Sequence, residues 1–281
     1  KTPEQIQNWG QNLNLPSLQV KNLIYNSKMA AKVDSSLVQD GFQIYHHSFF
    51  FTKSGTWTVV QQGMNIAAQT ARRYHWFSEN IKDLVCEPHS GISSEVRVPT
   101  LNLVAQQSQN TRQTSTELVQ SGYATLMKDI ELLRHHSSEL HKMAQLRLKN
   151  DNLTLLQLEN KEFTWHPVVI EDFSKSRYLE KILAKICDQK PENYENLLAQ
   201  EGVGPKTIRA LALVSEVIYG AEPSYEDPAR YSFAHGGKDA TPYPVDRYTY
   251  DQTIETMKQV VAKTNIGVFE KQKILKRLEK R

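Results

Sequence analysis

The sequence predicts an α+β fold: an N-terminal antiparallel sheet with helices over residues 1–150, then an all-α domain over 151–281 in which two helices meet at a glycine hairpin. Three observations carry this. Gly41 to Phe51 and Thr56 to Gln62 are rich in aromatic and β-branched residues and are joined by Lys53-Ser54-Gly55, good turn chemistry for a β-hairpin. Asn102 to about Asn150 holds no proline, one glycine (Gly122) and many good helix formers, so one or two long helices are expected there. Finally, two glycines with a valine between them punctuate two apolar helical stretches in Leu197-Leu198-Ala199-Gln200-Glu201-Gly202-Val203-Gly204-Pro205-Lys206-Thr207-Ile208-Arg209-Ala210-Leu211.

The remaining elements follow in order. Ser17 to Val33 places Leu18, Val20, Leu23, Ile24, Met29 and Val33 on a helical stripe after a Pro-Ser start. Ala71 to Phe77 and Glu95 to Val98 are candidate further strands, although Arg72 and Arg73 would equally suit the end of a helix begun near Asn65. Lys149 to His166 is polar and closes on Trp165-His166-Pro167, which marks a domain boundary. Beyond it, 174–187, 191–200, 206–219 and 246–263 read as helices, followed by a basic amphipathic tail over 268–281.

The composition is 39% apolar and 23% charged with a net charge of +3, so any affinity for polyanions has to come from the placement of charge. Cys86 and Cys187 stand in no metal-ligand spacing, as expected of buried thiols in a reducing compartment. No run approaches the roughly eighteen apolar residues of a membrane span and the start lacks a signal-peptide pattern, so a cytoplasmic location is expected.

The glycine hairpin has a physical purpose. Gly202 and Gly204 can take backbone angles closed to other residues and let the main chain approach a ligand, while Val203 anchors the turn. Pro205 suits the first helical position, where its missing N–H is no loss. The free N–H groups of the next turn and the helix dipole then form an anion site, to which Lys206 adds a full charge and Thr207 a further contact. Such contacts hold a phosphate backbone without reading sequence.

This stretch resembles the helix-hairpin-helix DNA glycosylase superfamily over about sixty residues. The resemblance implies a helix-hairpin-helix domain and, in members that also cleave the strand, a lysine in the Lys206 position that attacks the sugar C1′ to form a Schiff base, assisted by an aspartate at a later helix start. A helix N-terminus disfavours the ammonium form of Lys206, whereas a bound phosphate favours it. Two aspartates compete for the partner role: Asp227 before Pro228 by spacing, and Asp246 in Pro244-Val245-Asp246 by local pattern, the latter making 225–241 an insertion. Within that insertion His235-Gly236-Gly237-Lys238 is a short loop suited to a second phosphate.

In the N-terminal half, Tyr45-His46-His47, Trp57, Gln61-Gln62 and Arg72-Arg73 gather groups that stack on bases, read base edges and neutralise phosphate. His46 and His47, as strand neighbours, point to opposite faces. Asp34, Asp40, Glu87 and His89 with one of these histidines form an alternative divalent-metal set, for Mg²⁺ or Mn²⁺, and the lyase chemistry itself needs no cofactor.

The strings Val33 to Phe42, Tyr45-His46-His47, Val59 to Asn65, Ala71 to Trp76 and Tyr231 to Asp239 are similar to a family of bacterial and archaeal proteins known as a domain of unknown function, over most of the chain. Members carry a further segment ahead of the Lys1 position, so the chain is expected to be a fragment. The expected function is DNA repair or processing of glycosylase and lyase type, with DNA ahead of RNA as partner. A metal-dependent nuclease and a non-catalytic DNA-binding protein are the alternatives.

Overall fold

The chain begins with two helices that pair, α1 (Thr2–Asn12) against α2 (Ser17–Ser36), burying Ile6 and Leu23. In the computed structural model, residues 2–94, 96–143, 176–229 and 247–279 are described. β1 (Val38–Gln39) pairs antiparallel with β6 (Leu101–Asn102). A separate four-stranded antiparallel meander runs in the order β2 (Gln43–Phe51), β3 (Trp57–Asn65), β4 (Thr70–Phe77), β5 (Gly91–Ser94). The mixed α+β class and the hairpin turned by Lys53-Ser54-Gly55 agree with the sequence, Gly55 taking φ +96.

Strand alternation fixes the two faces of the sheet. Trp57, Val59 and Gln61 of β3 and Arg72, Tyr74 and Trp76 of β4 point inward, against Met29, Ala30 and Val33 of α2. Arg72 and Arg73 therefore belong to a strand, with Arg72 inside and Arg73 exposed. The partner of β4 is Gly91–Ser94, earlier than the expected Glu95 to Val98, because Ile92 is the apolar residue that pairs with Tyr74 in the core.

The helix-forming stretch after Asn102 yields α3 (Gln109–Gln120) and α4 (Tyr123–Met143), separated by Gly122 at φ +100. Further helices are α5 (Arg177–Gln189), α6 (Tyr194–Ala199) and α7 (Pro205–Val217). Side chains of Ser176 and Asn193 cap α5 and α6 by accepting the Leu179 and Asn196 N–H groups at 3.2 and 2.8 Å. α7 is the most buried of the three, with Ile208, Leu211 and Val214 fully covered among α2, α3, α4 and α5. Each such side chain contributes about 1.5–3 kcal/mol of burial.

Residues 1–231 form one compact unit with a continuous apolar core, and residues 232–281 form a second. The boundary expected near residue 150 lies outside the described residues. In the second unit α8 (Arg247–Lys263) packs on α9 (Val268–Glu279), and Lys271 Nζ donates to the Ala262 carbonyl at 2.9 Å.

Candidate functional site

The hairpin is built by a tight turn between α6 and α7. Gly202 has φ +89, a left-handed conformation, and a Cβ there would fall 2.2 Å from Ile182 Cδ1. Val203 is buried and pins the turn to the core. Gly204 caps α7, no side chain supplies a cap hydrogen bond, and Pro205 takes the first turn. In contrast to Gly202, Gly204 has an extended φ of −150, and a Cβ on it would meet nothing within 4 Å. Lys206 is exposed, and no acid pairs with it among the described residues. Thr207 differs from expectation: its side chain is buried, so only its backbone N–H faces the helix end.

α2 adds basic groups that proximity in sequence does not reveal. Lys32 Nζ donates to the carbonyls of Leu198 (2.7 Å) and Gln200 (2.5 Å), and Lys28 Nζ to that of Ala199 (3.4 Å), satisfying the open C-terminus of α6. From β1, Gln39 donates to the Pro205 carbonyl (3.1 Å) and accepts from Arg209 Nε (2.5 Å). Lys28, Lys32, Lys206 and Arg209 thus gather around the turn, while Glu201 pairs with Lys185 at 3.1 Å.

Burial first, and Lys28 second, push the Lys32 ammonium down from its ordinary 10.5 to about 8, against the pull of Glu201. The unfolded chain then binds this proton more tightly than the folded one, so the stability contributed by Lys32 rises with pH between about 8 and 10.5. Denaturation midpoints of the parent, measured against Lys32→Met, are expected to improve across that window. A difference that stays flat would contradict this placement of the ammonium.

The other candidate residues are placed as follows. Asp227 does not stand free: its Oδ2 accepts from Arg72 (2.8 Å) and from the Val98 N–H (2.7 Å), and its Oδ1 from the Ala229 N–H (2.8 Å). Arg72 is fully buried, so the phosphate role expected of it is unavailable; it also donates to Asp40 Oδ2 (2.9 Å) and the Val96 carbonyl (3.2 Å). Asp40 further accepts from Tyr74 (2.6 Å), and burial lifts its carboxyl above the ordinary value despite Arg72. Arg73 is exposed on the outer sheet face, in the same cross-strand row as Gln62 and His46. Asp246, His235, Gly236, Gly237 and Lys238 lie outside the described residues.

The alternative metal set is dispersed. Asp34 is buried and accepts from Gln61, from Trp76 Nε1 (3.0 Å) and, at 2.5 Å, hydrogen-bonds His89. Gln61 Oε1 in turn accepts from His47 Nδ1 (2.9 Å), which leaves His47 Nε2 to accept from Ser27 Oγ (2.9 Å). His46 is exposed and bonds Ser48 (2.9 Å), while Glu87 joins the backbone of Val104 through its N–H (2.8 Å). Among the described residues no three His, Cys, Asp or Glu side chains converge as metal ligands, and no helix is long and apolar enough to cross a membrane. His47, Gln61, Asp34 and His89 form a polar chain, buried at Gln61 and Asp34, that only the folded register assembles.

None of the curated proteins and none of the solved structures compared with the chain matches it. Residues 1–245 match the family model described as "Protein of unknown function (DUF763)", and with that share of its length covered the chain belongs to that family.

Proposed function

We propose that this protein holds the phosphate backbone of a nucleic acid, DNA in the first place, at the hairpin of Gly202, Gly204, Lys206 and the N-terminus of α7, without reading sequence. The observation that carries the reading is Gly204. Neither backbone angle nor packing among the described residues calls for glycine there, since φ is extended and an added Cβ would meet nothing within 4 Å. A ligand that must approach the main chain does call for it. Beside it, the uncapped N-terminus of α7 presents N–H groups and a positive dipole end, and Lys206 with Lys28, Lys32 and Arg209 supplies cationic charge.

The chemical reading is DNA repair or processing of glycosylase and lyase type, with the Lys206 amine attacking a sugar C1′. It is supported by an exposed amine with no ion-pair partner among the described residues. Of the two candidate carboxylates, Asp227 is engaged by Arg72 at 2.8 Å, and Asp246 is the alternative by local sequence pattern. Lys206→Arg keeps the charge and cannot form an imine. Its affinity for DNA should stay within about tenfold of the parent, on the order of 1.4 kcal/mol, while a borohydride-trapped adduct on abasic DNA disappears. Equal trapping by parent and variant would remove Lys206 as nucleophile, and a parent that never traps would leave backbone binding alone.

A further inference from the structure

The four-stranded sheet has a second face, turned away from α2, whose side chains the core does not use. Phe49, Trp57, Val59 and Trp76 point inward, so alternation sends Phe50, Thr58 and Phe77 outward. These three are direct cross-strand partners in one row over β2, β3 and β4. Phe50 and Phe77 remain 58% and 37% exposed. Two strand spacings, about 10 Å, separate them across the sheet. A solvated face of an antiparallel sheet is ordinarily polar, and these two rings break that alternation on either side of Thr58.

The rows that follow are Ser48, Val60 and His75, then His46, Gln62 and Arg73. At the irregularity between Ile44 and His46 two successive residues, Tyr45 and His46, stay exposed. The four strands hold no Asp or Glu at all. Arg73, the one formal charge among the outward strand positions, is exposed and makes no ion pair among the described residues. The face therefore combines open aromatic rings with a positive charge that nothing on the sheet offsets.

We propose that this face binds a single strand of DNA, with bases stacked on Phe50 and Phe77 and the phosphate chain drawn towards Arg73. Stacking needs open base faces, which a single strand offers and a duplex does not, and an acid-free surface complements a chain of phosphates. The hydroxyls nearest the aromatic row are already committed: Thr58 Oγ1 donates to the Trp76 carbonyl (2.6 Å), and Ser48 Oγ bonds His46 Nε2 (2.9 Å). The face offers stacking and charge in place of a reader of 2′-hydroxyls, which suits DNA. α2 packs on the inner face of the sheet while its Lys28 and Lys32 reach the hairpin, so the outer face and the hairpin are separate surfaces. The proposal does not rest on the hairpin reading.

Fluorescence anisotropy with a short labelled DNA strand of mixed sequence, its duplex and the RNA of the same sequence tests this. Phe50→Ala and Phe77→Ala, at exposed positions, should each weaken single-strand binding by about tenfold, about 1.4 kcal/mol, within what one stacked base contributes. Duplex affinity should stay at the parent's value in both, and Phe50→Trp should retain the single strand. Single-strand binding that survives Lys206→Gln supports the face even where the hairpin binds no duplex. Should either alanine variant misfold, photo-crosslinking of a bromodeoxyuridine strand to the parent decides, with adducts expected on Phe50 or Phe77. Adducts only elsewhere overturn the inference. So does a parent that binds no single strand or binds only the RNA, and so does single-strand affinity that both alanine variants leave unchanged or lose together with the duplex. A dimer formed without DNA that the alanine variants return to monomer assigns the face to a second copy of the chain and overturns it too.

Discussion

Replacing Arg72 by methionine is expected to destabilise the protein by about 3–5 kcal/mol, although methionine fills most of the same space. Arg72 is completely buried, and its two Nη atoms hold Asp40 at 2.9 Å and Asp227 at 2.8 Å while its Cζ lies 4.6 Å from the centroid of the Phe42 ring. Burial alone would lower its pKa, but the carboxylates more than offset this and keep the guanidinium charged. Removing it leaves two carboxylates in a low-dielectric setting without their cation, and that uncompensated charge is the main cost. The contact also joins β4 to residue 227 across the fold, so its loss should expose the segment after α7 to proteolysis before the rest of the unit. Urea denaturation of the parent and of Arg72→Met measures the effect. A loss below about 1 kcal/mol would show that the pair is poorly desolvated. The triple variant Arg72→Met, Asp40→Asn, Asp227→Asn should recover much of the deficit, because no buried charge is then left unpaired.

The two hairpin glycines are expected to fail in opposite ways. Gly202→Ala puts a side chain at φ +89 with its Cβ 2.2 Å from Ile182 Cδ1, which should cost roughly 2–4 kcal/mol of stability from strain and overpacking together. A Cβ added at Gly204 meets nothing within 4 Å among the described residues, so Gly204→Val should fold with a loss of at most about 1 kcal/mol from the weaker cap. Its cost is expected in binding: a branched side chain stands where a phosphate must come close, and affinity for duplexes of unrelated sequence should drop together by at least about tenfold. A Gly204→Val variant that folds and binds as the parent does would leave Gly204 without an explanation in ligand approach.

The sequence was readable where local chemistry decides the outcome. The β2–β3 hairpin follows from its turn residues, and the turn from α6 to α7 follows from Gly202, Gly204 and Pro205, all within a few positions of one another. Alternation also separates His46, which is exposed, from His47, which reaches Ser27 and Gln61. β4 was ambiguous because its inward residues include an arginine, and the reason for that arginine lies 155 positions away at Asp227. The lysines of α2 around the hairpin were hidden in the same way, since Lys32 reaches Leu198 across 166 positions. The orientation of Thr207 is not legible locally, because a residue in the first turn of α7 can face either the helix end or the core, and the packing of α7 on α2 and α3 turns its side chain inward.

Backbone binding at the hairpin is tested most directly by the salt dependence of DNA affinity in the parent and in Lys206→Gln. A protein that holds phosphates releases counterions, so log K should fall linearly with log salt for any duplex, and loss of one phosphate-bound lysine should reduce the magnitude of that slope by about one. The account predicts both, with equal affinities for unrelated sequences at a given salt concentration. A parent that fails to bind at low salt, or a slope that Lys206→Gln leaves unchanged, would contradict it.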